Sequence, residues 1–226
     1  SIDTSSSGTA GAITIGGAVT DLRGLTLNGA AISTAAITTA VGNIDLTSTT
    51  FTNSGVINSA GTFELTNSGT ATINANIISA GTMTFNGSAG ISLGANLTAT
   101  GALNIGSSSP LTLTGASQIS TTNSAISIGS TTNGANALTV NAGSSTVSFG
   151  GVVGGSTALS SLTVTGSGGI TVPGNITTTG AIVMTGPVTL TGNSTIGTTN
   201  SAITFNSAIN SDNVSTKRDL TLTAGS

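Results

Sequence analysis

The stretch from Gly90 to Gly129 returns, with substitutions, at Gly169 to Asn206. One constant shift carries Gly90-Ile91 onto Gly169-Ile170 and Gly101-Ala102-Leu103 onto Gly180-Ala181-Ile182. A slightly shorter one carries Pro110-Leu111-Thr112-Leu113-Thr114-Gly115 onto Pro187-Val188-Thr189-Leu190-Thr191-Gly192, and the hexapeptide TTNSAI stands at both 121–126 and 198–203. Internal repetition constrains a chain more than local propensity does, because copies of one unit must build one kind of structure and bury their apolar faces on each other. The ends carry the same unit. Ala12 to Leu27 matches Thr146 to Val164, setting Ile13 and Ile15 on Val147 and Phe149, Val19 on Val153, and Leu25 and Leu27 on Leu162 and Val164. Asp219 to Ser226 echoes Ala137 to Ser144. The expectation is one continuous segment over residues 1–226, with a nested repeat of about 77–80 residues, cut from a longer repeat protein.

Inside the long unit runs a period of about 20 residues. Gly61-Thr-Phe-Glu-Leu, Gly81-Thr-Met-Thr-Phe and Gly101-Ala-Leu-Asn-Ile each open on glycine and place apolar residues third and fifth. The pairs Ile182/Met184 and Ile203/Phe205 extend this series. A second pair follows at Ala71/Ile73, Ile91/Leu93, Leu111/Leu113 and Val188/Leu190, and a third apolar point at Ile77, Leu97, Ile119, Ile176 and Ile196. Alternation with period two marks strands with one face inward. The Gly, Asn, Ser and Pro residues between the pairs mark turns. Three short strands per period make one rung of a coil. The prediction is an all-β solenoid with about 20 residues per rung and about eleven rungs, a rod of about 50 Å at the ordinary strand spacing. Ladders such as Phe63–Met83–Leu103 would fill it. A β-sandwich would need a larger shared core, and an aromatic content of 2% with neither Trp nor Tyr argues against one. Ile128–Val140 and Asn206–Leu220 break the metre and are expected as projecting loops, while residues 43–60 carry it less cleanly.

The chemistry excluded is extensive. Charged residues are 4%, against about 25% in ordinary soluble domains. A mean hydropathy of +0.38 and regular apolar spacing argue for order. A net charge of -3 offers no basic surface for nucleic acid or anionic membrane. No apolar run is long enough for a transmembrane helix. From Leu65 to Ser211 there is no Asp, Glu, Lys or Arg, and the whole chain lacks His, Cys and Tyr. General acid–base catalysis needs a titratable group, hard cations need several carboxylates, and phosphate loops need a lysine after their glycines. Hence no enzyme activity, cofactor or metal is expected. Asp3, Asp21, Asp45 and Glu64 are isolated in sequence; Asp45 and Glu64 fall one rung apart, a spacing that a glycosidase-like carboxylate pair could use, but they read as two solvated residues between inward Ile44/Leu46 and Phe63/Leu65. Asp212, Lys217, Arg218 and Asp219 gather four of the nine charges in one loop and are the candidate contact residues. Asn-x-Ser/Thr occurs at Asn86, Asn96, Asn175, Asn193 and Asn213, as it must often do in so Asn-, Ser- and Thr-rich a chain. Thr112/Thr114, Thr189/Thr191 and Thr221/Thr223 are outward pairs of the kind that could order water into an ice-binding face.

AITFNSAIN, PVTLTGNSTI, ALTVNAGSSTVSFGGVVGG and LSSLTVTGSGGITVPGNI resemble the β-strand repeats of very large bacterial surface proteins, the filamentous-haemagglutinin-like adhesins and related exoproteins. The resemblance covers almost the whole chain. It implies a right-handed parallel β-helix, export to the cell exterior and display at the bacterial surface, and a stalk or fibre role in adhesion or biofilm. It implies as partners the adjoining repeats, further copies joined end to end or laterally, and a host or neighbouring-cell surface. No receptor-binding motif of that family stands in this sequence. The alternative is a ligand-binding solenoid that holds a glycan, a host surface or ice on its outer Ser/Thr/Asn face.

Overall fold

A computed structural model describes residues 2, 3 and 11–225, the side chain of Asp3 excepted. Among the described residues there is no helix; parallel strands stack into a β-solenoid of about ten turns. One turn shows how sequence becomes coil. Phe63–Asn67, Ala71–Ile73 and Ile77–Ser79 are its three strands, each alternating buried and outward residues. Gly and polar residues separate them, where alternation stops. Each strand pairs in parallel with its counterpart one turn on: Phe63 with Met83, Ala71 with Ile91, Ile77 with Leu97. The coil therefore has three faces, visited in that order.

The first face stacks Leu25, Ile44, Phe63, Met83, Leu103, Ile126, Val147, Ile170, Val188 and Ile209. The second stacks Ile32, Phe51, Ala71, Ile91, Leu111, Thr132, Val153, Ile176, Ile196 and Leu222. The third stacks Ile37, Ile57, Ile77, Leu97, Ile119, Val140, Val164, Met184 and Phe205. Residues 43–60 sit squarely in this scheme, since Ile44, Leu46, Phe51 and Ile57 are all buried. The first face and the earlier turns of the second merge into one 16-stranded sheet because Ile44–Asn53 runs unbroken across their shared corner, while Ile176–Thr178, Ser194–Thr198 and Leu220–Ala224 of the second face form a sheet of their own. Phe63 and Phe85 meet with ring centroids 5.5 Å apart, and Phe63 is wholly buried in the turn whose second face carries Ala71 and Ile73. Removing the Phe63 ring would cost about 3–5 kcal/mol, because a close-packed column collapses poorly around a void.

Corners are held by side chains where the strand ladder lapses. Asn76, Asn96 and Asn175 each accept, through Oδ1, a backbone N–H from the next turn: those of Asn96, Gln118 and Thr195, at 3.0, 2.8 and 2.8 Å. Ser59 and Ser79 donate to the carbonyls three residues ahead, at 2.7 and 3.0 Å, closing the tight turn from the third face to the first.

The repeated unit and the coil are out of step. Four turns from Ile91 reach Ile176, whereas the sequence copy of Ile91 is Ile170, which falls short of it. Turns lie about 20 residues apart, as from Phe63 to Met83 and from Met83 to Leu103, but Leu103 to Ile126 and Val147 to Ile170 are each longer by three. One unit thus advances three turns and two further faces, and every matched residue moves back by one face. Ile91 lies on the second face and Ile170 on the first; Leu103 lies on the first and Ile182 on the third. This corrects the expectation that Ile182/Met184 and Ile203/Phe205 extend the Phe63–Met83–Leu103 series: they belong to the third face, beside Leu162/Val164. The longer turns also account for about ten turns where eleven were expected.

The corner chemistry travels with the sequence. Within TTNSAI, the Thr121 hydroxyl donates to the Ser124 carbonyl at the corner between the third and first faces. In the second copy Thr198 donates to Ser201 between the second and third. Of the two expected loops, Ile128–Val140 is mostly coil. Thr132–Asn133 pairs with Leu111–Thr112, and Thr132 is wholly buried in the second-face column. The other departs from the coil only after the strand Ile209–Ser211 and rejoins it at Leu220–Ala224.

Candidate functional site

The charged loop between those two strands is tied to itself. The Arg218 guanidinium donates to both carboxylate oxygens of Asp212, Nε to Oδ1 at 2.8 Å and Nη2 to Oδ2 at 3.2 Å. This fork holds the Asp212 carboxyl below its ordinary 3.8. The Arg218 N–H donates to the Ser211 hydroxyl, and the Asp219 N–H to Asn193 Oδ1 on the previous turn. Asp212 and Arg218 therefore staple the loop, while Lys217 and the Asp219 side chain stay exposed beside it. Val214, at 91% exposure, stands at the tip.

Asp45 and Glu64 are brought together as direct neighbours in register on the outside of the first face. Asn86, one turn further, donates to Glu64 Oε1 at 3.3 Å. No cleft encloses them, since both project outward from a flat strand face, and among the described residues no three acidic groups converge where a metal could be held. The outward threonines do not make one array. Thr112 is on the second face, Thr189 on the first, and Thr221 on the second again, five turns beyond Thr112. Three of the Asn-x-Ser/Thr asparagines, Asn96, Asn175 and Asn193, spend their Oδ1 on turn-to-turn bonds.

Among the described residues a concavity lies elsewhere, along the corner where the first face meets the second. It is a groove of about 640 Å³ crossing five successive turns, from Asn28 to Ser109. On each strand the inward alternation continues two residues past the last aliphatic or aromatic, from Leu27, Leu46, Leu65 and Phe85 to Gly29, Ser48, Asn67 and Gly87. Small or polar residues there cannot fill the space an aliphatic would take. Ser109 closes one end, its hydroxyl donating to the Gly87 carbonyl and accepting the Gly87 N–H, at 2.6 and 2.8 Å. Asn67 donates Nδ2 to the Gly69 carbonyl. Ser48 Oγ and Asn67 Oδ1 have no hydrogen-bond partner, although their residues are only 8% and 3% exposed. Sequence reasoning missed this corner because Ser48 and Asn67 look like turn residues. The available signal was the alternation itself, which keeps them inward.

No family model matches this chain, and neither a curated protein nor a solved structure matches it. No helix of the described residues is long and apolar enough to cross a membrane.

Proposed function

We propose that this chain is a structural rod, a stalk or fibre segment of an exported bacterial surface protein of the filamentous-haemagglutinin-like kind. The observation that supports this is the parallel register, which carries the first and third faces unbroken from turn to turn, while the second thins to single bridges at Thr132, Val153 and Ile176. In such a stack each turn is stabilised by the turns on either side, so stiffness is distributed along the axis. Small aliphatic columns inside and hydroxyls and amides outside suit a spacer better than a catalyst. The adhesive contact, to a host or neighbouring cell, belongs on this reading to a surface that the rod holds outward.

Dyes on Thr38→Cys and Thr204→Cys test the rod. Both lie on the third face, eight turns apart, about 40 Å at the strand spacing. Single-molecule energy transfer should give one narrow distribution at that distance; a broad one refutes the spacer. An antibody to the exposed loop at Val214 should label intact cells that produce the protein, and labelling only after lysis would refute surface display.

A further inference from the structure

We propose that the loop of residues 212–219 is a processing site, cut between Lys217 and Arg218 by a serine protease whose specificity pocket carries a carboxylate. A protease takes its substrate as an extended strand and pairs with main-chain groups on either side of the scissile bond. A segment already committed to a ladder offers those groups only after local unfolding. The chain has three basic residues, Arg23, Lys217 and Arg218, and they stand in two opposite backbone settings. Arg23 is exposed but committed. The Leu22 carbonyl accepts the Ala40 N–H at 2.7 Å, and the Leu25 N–H donates to the Asn43 carbonyl at 2.9 Å. Gly42 covers the Arg23 carbonyl so closely that a Cβ on it would lie 2.1 Å from the oxygen, which shuts out an attacking nucleophile. The loop is free of such ties. The Asp212 N–H donates to the Leu190 carbonyl and the Asp219 carbonyl accepts the Ser194 N–H, but between them residues 213–218 make no backbone–backbone hydrogen bond to a described residue. Side-chain acceptors on Ser211, Asn213 and Asn193 hold the loop instead.

Three observations choose the bond. Asn213 Oδ1 accepts the N–H groups of Ser215 and Thr216 at 2.7 and 3.2 Å, folding the bond after Val214 into a closed turn. The Arg218 guanidinium is occupied by Asp212, and a cut after it would bring the Asp219 carboxylate up to an acidic pocket, like charge against like. Lys217 is exposed and takes no part in the ion pair beside it, so its ammonium can enter a carboxylate-bearing pocket. Hydrolysis adds one water across the Lys217–Arg218 peptide bond. The C–N bond breaks, Lys217 keeps the new carboxylate, and Arg218 keeps the new amine. The strand Leu220–Ala224 is then tied to the preceding coil only by its parallel ladder to Ser194–Thr198.

The test is brief trypsin digestion of the folded chain, read by intact-mass spectrometry, with a synthetic peptide of residues 211–220 as the rate reference. The Lys217–Arg218 bond should be cut within about tenfold of its rate in the peptide, as expected where only local side-chain bonds must open. Arg23–Gly24 should stay whole for as long as the far-UV circular dichroism is unchanged. Asp212→Asn, which frees Arg218, should raise the share of cuts after Arg218 by about two- to fivefold, the factor that an exposed ion pair is worth. Lys217→Gln/Arg218→Gln should leave the folded chain uncut and its thermal midpoint unchanged. The proposal is overturned if Arg23–Gly24 is cut as fast as the loop, or if the loop survives as long as the coil. It is also overturned if Asp212→Asn leaves the position of the cut unaltered, or if elastase, referred to the same peptide, cuts after Val214 faster than trypsin cuts after Lys217. None of these outcomes touches the rod, which the dye-pair distance measures separately.

Discussion

Thr132 and Thr178 face the same way in the coil and should answer the same substitution with opposite signs. Both are wholly buried at inward positions of strands on the second face. Thr132 sits in the aliphatic column between Leu111 and Val153. Its backbone is satisfied, N–H to the Val152 carbonyl at 3.0 Å and carbonyl from the Gly154 N–H at 2.7 Å, but its hydroxyl has no partner. Thr178 instead donates its hydroxyl to the Gly180 carbonyl. Thr132→Val replaces a desolvated hydroxyl with a methyl of the same shape. It removes a penalty of about 1–3 kcal/mol and adds apolar burial worth about 0.8 kcal/mol. A net gain of about 2–4 kcal/mol follows. At a urea slope of ~2–3 kcal/mol per M, that moves the midpoint up by roughly 0.7–2 M. Thr178→Val gains the same methyl but orphans the Gly180 carbonyl, so it should lose about 1–2 kcal/mol. Urea unfolding followed by far-UV circular dichroism reads both. An unchanged or lowered midpoint for Thr132→Val would mean that the hydroxyl is bonded, to a buried water for instance, and would refute the reasoning.

Two further outcomes follow from the register and from the loop. Ser148→Cys/Thr171→Cys, neighbours in register across one of the longer turns, should oxidise to a disulfide, because adjacent strands bring Cα atoms within about 4.4–6.8 Å, the usual span of such a bond. Ser148→Cys/Gly168→Cys, the pair that an unvarying metre would set side by side, should not; the reverse result on a non-reducing gel would undo the face assignment. The Asp212–Arg218 fork gives the second. Since the folded carboxyl lies below its ordinary 3.8, the fork's contribution is complete above that value and is lost only as pH falls through the depressed one. Protection of the amides of Ser215, Thr216 and Arg218, taken against the intrinsic exchange rate at each pH, should persist at about pH 4 and fall at lower pH. Asp212→Asn should remove it throughout, with no change in global unfolding, as expected of an exposed ion pair. Protection already lost at a pH well above about 4 would contradict the assignment.

Strand and corner were legible in the sequence; the face was not. Phe63, Met83 and Leu103 stack as their glycine-led pentapeptides predict, because alternation fixes which side chains turn inward and the regular spacing of the pentapeptides fixes which strand lies above which. The face of Ile182 depends on something alternation does not encode, the number of residues each corner consumes. Between Gly154 and Leu159 the chain makes an excursion that Asn133 Oδ1 secures by accepting the N–H groups of Ser156 and Thr157. Lengthening a surface turn costs little, since closure entropy grows only logarithmically, although beside this one the second-face ladder thins to single bridges at Val153. Such insertions accumulate until one copy of the unit no longer completes four turns. The second copy is then carried to the next face, where TTNSAI forms the same Thr198–Ser201 corner that Thr121–Ser124 forms one face away. That is possible only because the three corners accept the same local hydrogen bonding, so the unit specifies its strands and turns but not its azimuth. The same logic confines the groove. Gly29, Ser48, Asn67 and Gly87 come from four consecutive turns of nearly constant length, the only condition under which a column of small corner residues stays aligned along the axis. Where the turns lengthen beyond Ser109, residues that match these in sequence are dealt to other corners. A surface feature needing several turns in line can therefore form in the regular half of this coil and is dispersed in the other.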